Sequence, residues 1–146
     1  MSTDNREYVC SNVEKMIEHC ENVAYMRHKI HNKKEFLSDV MSHYAFTNAL
    51  AQIGEHAKRI DIWLENHYQY DWPGCIRFRD LVGHRYSTVD YEFVWGIVNN
   101  DVPELLSLLL KIRNDIPRMP DYEFGVITNR LSSNDLKPKK RFWSRN

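Results

Sequence analysis

Three residues of this chain have side chains that could carry out chemistry together: Arg79, His84 and Tyr86, all within eight positions. Arginine is a permanent cation, histidine titrates near neutrality, and tyrosine carries a phenol. Such a set could bind a phosphodiester and move a proton on it. The pattern is short, so by itself it is weak evidence for a site.

The geometry of a helix constrains how these residues could meet. At about 100° per residue, Arg79 and Tyr86 share one face, whereas His84 lies about 140° from Arg79. Two alternatives are open. Either Gly83 lets the backbone leave the regular helix just before His84, or a second copy of the chain completes the site. A two-fold dimer would bring together two arginines and two histidines.

The elements that position these residues are predicted to be helices, because the apolar residues repeat at helical intervals and the chain has only 5 Gly and 5 Pro. Asn32, Asp71, Asp90 and Asp101 are each predicted to cap a helix. The predicted helices run from about Asp4 to His31, Asn32 to Asn66, Asp71 to Tyr86, Asp90 to Val98, and Asp101 to Arg113.

Three of these helices have apolar faces that predict burial. The first would bury Val9, Val13, Met16, Cys20, Val23 and Ile30. The second would bury Leu37, Val40, Tyr44, Leu50, Ile53, Ala57, Ile60 and Leu64. The fifth would use Leu105, Leu106, Leu108, Leu109 and Ile112.

The length of 146 residues suits one domain, and 42% hydrophobic residues can supply its core. We predict an all-α fold, an antiparallel bundle of about four to five helices over residues 1–115. Residues 116–146 are predicted to form a poorly ordered basic tail. The formal net charge of zero excludes a uniformly basic nucleic-acid-binding protein, yet residues 111–146 carry 9 basic and 4 acidic side chains.

Several other classes of protein do not fit the sequence. No apolar stretch is long enough to span a membrane, and the first residues lack the apolar core of a secretion signal. Cys10, Cys20 and Cys75 match no zinc or disulfide spacing, so a reducing cytoplasm is expected. His28 and His31 have a spacing that can bind metal, but no further ligand pattern completes a site. No cofactor is predicted.

Three blocks of the sequence resemble the HepT-like family of the HEPN superfamily. The first is Ile53-Gly54-Glu55-His56-Ala57-Lys58-Arg59, which is similar to the Ile-Gly-Glu-Ala-Ala-Lys-Arg block of that family. The second contains His84-x-Tyr86 and continues to Val94-Trp95. The third is Asn100-Asp101-Val102-Pro103-Glu104-Leu105. The match covers about residues 6–113, and the order and spacing of the blocks make it specific.

The resemblance implies a helical homodimer that acts as a toxin, a metal-independent endoribonuclease cleaving transfer or messenger RNA. Arg79 and His84 would be its catalytic residues. The partner of such toxins is a nucleotidyltransferase antitoxin of the MNT type, which transfers AMP to the tyrosine of the motif, here Tyr86. The family often has Asn after the motif arginine, whereas Asp80 can only accept hydrogen bonds when ionised.

Further RNA-binding candidates are Arg85 and the tail residues Lys139, Lys140 and Arg141. Phe142 and Trp143 lie beside this basic run. They could stack on bases, form part of a disordered end, or dock an antitoxin. Two other functions stay open: a non-catalytic HEPN module that binds a nucleotidyltransferase partner or a nucleotide, and a purely structural helical bundle.

Overall fold

Long helices form the framework that carries Arg79. The computed structural model describes residues 2–85, 88–128 and Trp143; the side chains at positions 2, 3 and 83–85 lie outside that description. The helices are α1 (Ser2–His28), α2 (Lys33–Ser38), α3 (Val40–Arg59), α4 (Asp61–His67), α5 (Trp72–Arg85), α6 (Tyr91–Gly96) and α7 (Val102–Asp115). A π-helical turn (Ile97–Asp101) joins α6 to α7, and two 3-10 turns follow, Ile116–Arg118 and Asp121–Phe124.

The prediction of an all-α fold is confirmed, since the described residues contain no strand. Helix α3 packs against both α1 and α5, and α1 also packs against α7. None of the described helices is both long and apolar enough to cross a membrane.

Helix α1 supplies one wall of the core. It begins before its predicted start at Asp4, so Asp4 lies in the first turn, where the positive end of the helix dipole stabilises an acidic side chain. It ends at His28 rather than His31. All six side chains predicted for its apolar stripe are buried.

The predicted second helix is divided into α2, α3 and α4. Its start is confirmed, because Asn32 Oδ1 accepts a hydrogen bond from the Glu35 amide at 2.9 Å. The backbone then leaves the helix at Asp39 (φ −102°, ψ 96°) and again at Ile60 (φ −132°, ψ 33°). A single stripe with a period of 3.6 residues cannot continue across such breaks.

The break at Asp39 makes three burial predictions wrong. The side chains of Leu37, Val40 and Tyr44 are exposed, whereas Phe36 and Phe46 are fully buried in their place. Beyond the break, burial follows the prediction at Leu50, Ile53, Ala57, Ile60 and Leu64. In α7, Leu105, Leu109 and Ile112 are buried as predicted, while Leu106 and Leu108 are only partly covered.

Helix α5 carries the motif arginine and begins as predicted. Asp71 Oδ1 accepts a hydrogen bond from the Gly74 amide at 2.9 Å and so caps the first turn. Helix α5 lies very close to α3, because Gly54 has no side chain. A Cβ at position 54 would overlap the carbonyl oxygen of Cys75 and lie 2.9 Å from Arg79 Cβ. Gly54 therefore sets the distance between the two helices at the site.

Replacing Gly54 with alanine is expected to lower the free energy of unfolding by about 1–3 kcal/mol, because the added methyl overpacks the α3–α5 contact. The matched control is Gly96→Ala, since a Cβ at Gly96 meets no atom within 4 Å. That change should instead raise stability by about 0.5–1 kcal/mol, the difference in helix propensity. Urea denaturation of both variants measures the contrast, and equal stabilities would contradict the packing role of Gly54.

Helices α6 and α7 form one continuous helix, where the sequence predicted two. Asp90 caps α6 as predicted, accepting from the amides of Glu92 and Phe93. Pro103 has no amide hydrogen to donate to the preceding turn. The helix continues there because the π turn lies just before Pro103, and in that turn the Val102 N–H donates to the Ile97 carbonyl.

The predicted cap at Asp101 is wrong. Its side chain makes no capping hydrogen bond, and the residue is 9% exposed inside the bundle. Burial, followed by the charges of Glu104 and Asp71, raises the pKa of Asp101 to about 7. A carboxylate can cap a helix only where the helix begins and its first amides are free, and no helix begins at Asp101 because α6 and α7 are continuous.

The packed part of the chain extends beyond the predicted boundary at residue 115. Ile116 and Phe124 are buried, and Arg6 of α1 donates to the Ile116 carbonyl at 2.7 Å and to the Met119 carbonyl at 2.8 Å. The same guanidinium lies over the Phe124 ring, 4.5 Å from its centre. Residues 116–128 are therefore part of the bundle.

Candidate active site

Arg79 lies on α5 at the contact with α3, and its side chain is 39% exposed. Its Nε is 2.8 Å from Glu55 Oε1, and its Nη1 donates to Asp80 Oδ1 at 2.9 Å. Within the described part of the chain, Nη2 of Arg79 has no acceptor. Two carboxylates thus orient the guanidinium and leave one of its amino groups available to a phosphate.

The electrostatics keep Arg79 charged. The hydrogen bond to Asp80 has the largest effect on the pKa of the Arg79 guanidinium and, together with the charges of Glu55 and Asp80, raises it above its ordinary value, although burial lowers it. Asp80 acts here as an acceptor, which is the only role an ionised carboxylate can have. This carboxylate neutralises part of the arginine charge.

The guanidinium of Arg79 opens into a groove between α3 and α5. Its walls are formed by Ala51, Gln52, Glu55, Arg59, Arg79, Asp80 and Val82. Two further cations approach the same carboxylates: Arg59 Nε is 3.4 Å from Glu55 Oε2, and Lys58 Nζ is 4.0 Å from Asp80 Oδ1. The two cations and two carboxylates that line the groove balance, and Lys58 beside it brings the formal charge of the whole cluster to +1.

Glu55, which belongs to the first of the three sequence blocks, is a partner for two cations, because it lies between Arg79 and Arg59. The spacing of Glu55 and Arg59 on one helix face was the available signal. No spacing rule could have indicated the contact with Arg79, which is 24 positions away in another helix.

His84 lies in the last turn of α5, and its side chain is outside the described part of the structure. The backbone is helical through Gly83 to Arg85. Positions 79 and 84 are therefore about 140° apart around one helix axis. One alternative was that the backbone leaves the helix at Gly83, and the described backbone shows no such departure.

Several other candidates lie partly or wholly outside the described residues. They are Tyr86, Lys139, Lys140 and Arg141, and also Arg85, whose backbone alone is described. The proposed base-stacking role of Trp143 is wrong, because its side chain is 3% exposed. Its indole Nε1 donates to Tyr70 Oη at 2.8 Å, and the ring packs on Phe78.

The two histidines with metal-binding spacing have separate surroundings. His31 Nδ1 is paired with Glu35 Oε2 at 2.8 Å, and His28 is exposed at the end of α1. Among the described residues, no group of three or more histidine, cysteine or acidic side chains could hold a metal ion.

The comparisons with known proteins agree with the blocks around this groove. A family model described as "Ribonuclease HepT-like" matches residues 13–112. A Methanocaldococcus jannaschii protein named "Putative RNase MJ0127" is 37% identical over 83 residues, which cover 56% of this chain and 69% of that protein. The "Probable ribonuclease HepT" of Thermococcus cleftensis is 33% identical over 81 residues, covering 55% and 74% of the two chains. No solved structure matches the chain.

Proposed function

This chain belongs to the HepT-like ribonuclease family, and from this membership we propose that it is a metal-independent endoribonuclease acting as the toxin of a toxin-antitoxin pair. The proposal is carried by the placement of Arg79. This arginine lies inside the family match, opens into a groove that it lines together with Arg59, and has a free amino group among the described residues. A planar cation held in this way suits a phosphodiester.

The proposed reaction uses the nucleophile that RNA itself carries. A base removes the proton of the ribose 2′-hydroxyl, the oxygen attacks the adjacent phosphorus, and the bond from phosphorus to the 5′-oxygen breaks. An acid returns a proton to that oxygen, leaving a cyclic phosphate and a free 5′-hydroxyl. His84 is the proposed acid or base, and Arg79 stabilises the charge that builds on the phosphate.

We propose that two copies of the chain form the complete site. The helical backbone at Gly83 supports this, because it separates positions 79 and 84 around one axis. A second copy related by a two-fold axis could bring its own His84 to the Arg79 of the first.

An exposed apolar patch offers a surface for the second copy. Leu37, Val40, Met41 and Tyr44 are 36%, 62%, 82% and 59% exposed. Val40 and Tyr44 lie on the same face of α3 as Glu55, with Tyr44 about 16 Å from Glu55 along the helix axis.

Replacing Val40 and Tyr44 together with glutamate is expected to convert the dimer to monomers and to abolish RNA cleavage, because charges would be buried at the interface. Sedimentation velocity measures the first effect. The control is Tyr122→Glu, at a residue 79% exposed on a 3-10 turn. If the double variant remains a dimer, the interface does not involve Val40 and Tyr44.

The direct test of the proposed function compares RNA with DNA of the same sequence. The purified chain should cleave the RNA in the presence of a metal chelator and leave the DNA intact, because DNA lacks the 2′-hydroxyl. Cleavage of neither strand would favour the alternative, a non-catalytic module that binds a nucleotidyltransferase or a nucleotide.

We further propose that a nucleotidyltransferase antitoxin of the MNT type silences the toxin by attaching AMP to Tyr86. The added phosphate would lie two positions from His84, where it could occupy the place of the substrate phosphate. Incubation with a nucleotidyltransferase of the MNT type and ATP should add the mass of AMP to the peptide that contains Tyr86. The same treatment of Tyr86→Phe is the control, and labelling that persists in this variant would refute the assignment.

The proposed RNA contacts outside the groove are Arg85, Lys139, Lys140 and Arg141. Truncating the tail after Arg113 would also remove the buried Ile116 and Phe124, so a loss of binding could reflect unfolding. Replacing the three tail cations with glutamine tests the same proposal and keeps Ile116 and Phe124 in the chain.

A further inference from the structure

A second basic surface occurs at the turn between α1 and α2, far in sequence from Arg79. Four of the eleven lysines and arginines in residues 1–110 fall within the eight positions 27–34, in a region that otherwise carries an acidic excess. They are Arg27, Lys29, Lys33 and Lys34, and we call this segment the basic turn. Charge clustered in this way attracts polyanions.

The basic turn is rigidly attached to the bundle. The side chain of Ile30 is buried, and the carbonyl of Ile30 accepts from Arg27 Nη1 at 2.8 Å. Arg27 also donates from Nε to Asn99 Oδ1 at 2.6 Å and lies over the Trp95 ring, 4.3 Å from its centre. A ligand that binds here would not have to order the loop first.

Most of the positive charge of the basic turn is uncompensated. All the contacts of Arg27 just given are to neutral groups. Within residues 2–85 and 88–128, no carboxylate lies within ion-pair distance of Arg27, Lys29 or Lys34. Lys33 is 3.9 Å from Glu92 in an exposed pair, and such pairs are weak.

Aromatic and apolar surfaces lie beside these cations. Tyr25 is 65% exposed, and Lys29 Nζ lies 4.8 Å from the centre of its ring. A groove begins next to the basic turn, with a mainly apolar lining of Ala24, Arg27, His28, Val98, Asn99, Val102, Pro103 and Leu106. Cations that meet phosphates, next to surfaces on which bases can lie, are the elements of a single-strand binding surface.

The position of the basic turn connects it to the candidate active site. Helix α6 packs on α2, through the Phe36 ring against Tyr91 and Trp95, and it begins six residues after Arg85. A chain of that length spans at most about 22 Å. The basic turn and the C-terminal end of the motif helix are therefore at the same end of the bundle, within reach of one RNA strand.

We propose that the basic turn and the adjoining groove bind the backbone of single-stranded RNA and hold the substrate whose cleavage depends on Arg79. This inference rests on the proposed ribonuclease function. Phosphates contact Lys29 and Lys34, while the groove and Tyr25 receive bases without selecting a sequence. The surface is a binding surface and takes no part in breaking the phosphodiester.

The test uses a fluorescent 16-nucleotide RNA of mixed sequence whose 2′-hydroxyls are methylated, so that binding is measured without cleavage. The variant combines Lys29→Gln with Lys34→Gln. Each phosphate contact to single-stranded RNA contributes about 0.7 to the slope of log affinity against log salt concentration, so the slope should fall by about 1.4. If both proteins bind equally at 1 M salt, the affinity of the variant at 0.15 M should be about 14-fold lower than that of the native chain.

The matched control combines Lys15→Gln with Lys111→Gln. These lysines are also exposed, but each already pairs with a carboxylate, Glu18 and Asp115 respectively. The control should change affinity by less than about twofold. An unchanged salt slope in the first variant, or an equal change in the control, overturns the inference. So does a result in which the variant alters self-association in sedimentation and leaves RNA affinity intact.

The outcome also separates this inference from the function on which it rests. If the native chain cleaves RNA and the basic-turn variant binds the methylated probe normally, the binding surface is refuted and the ribonuclease stands. If the native chain binds the probe through the basic turn but never cleaves RNA, the ribonuclease fails and the surface remains.

Discussion

Arg79→Ala should slow RNA cleavage by about two to four orders of magnitude, because the variant loses the cation that stabilises charge on the phosphate. The fold should remain, since the side chain is 39% exposed. Single-turnover cleavage of a labelled RNA measures the rate, and circular dichroism verifies the helices.

The matched control for Arg79 is Arg59→Ala. Arg59 lines the same groove and pairs with the same carboxylate, Glu55, but it lies on α3 outside the motif. We expect its loss to lower the cleavage rate by less than about tenfold, because Arg59 would add to the positive potential of the groove without contacting the phosphate in the transition state. A further variant, Arg79→Lys, keeps the charge and loses the planar fork, so its rate should fall between these limits.

Two results would count against the role of Arg79. One is native cleavage by folded Arg79→Ala. The other is an equal loss in Arg59→Ala, which would mean that the groove needs only positive charge and that no single guanidinium is positioned for the reaction.

His84→Ala should reduce cleavage by a similar factor, about two to four orders of magnitude, because it removes the proposed acid or base. The rate should also lose the part of its pH dependence that the imidazole contributes. His19→Ala on α1 is the control, and it should keep both the rate and the pH profile. Cleavage at the native rate by dimeric His84→Ala would end the assignment.

The double variant Arg79→Ala with His84→Ala tests whether the two residues act in one step. Residues that act as a unit give losses that do not add, so the double variant should cleave little more slowly than either single variant. Losses that multiply would indicate two independent contributions, for example binding by one residue and chemistry by the other.

The sequence alone determined those features that depend on neighbouring residues. The caps at Asn32, Asp71 and Asp90 were predicted correctly, because each carboxylate or amide accepts from an amide two or three positions away. The buried stripe of α1 followed in the same way from its period. The blocks around Arg79 and Glu55 indicated the family without any knowledge of the fold.

Only the tertiary structure decided the features that depend on contacts between distant segments. The break at Asp39 exposes Val40 and Tyr44, and nothing in the local apolar pattern distinguishes them from buried residues. Asp101 has the sequence context of a cap, yet the continuous α6–α7 helix buries it.

The candidate site shows the same division. Its arginine was found from a motif, but the carboxylate of Glu55 that orients it comes from another helix, brought close because Gly54 lets α5 approach. The placement of Trp143 against Phe78 joins segments 65 positions apart. Local hydrogen bonds and the periodicity of a helix depend on residues that are close in sequence, so the sequence predicts them. Packing depends on which distant side chains come into contact, and only the folded chain determines those contacts.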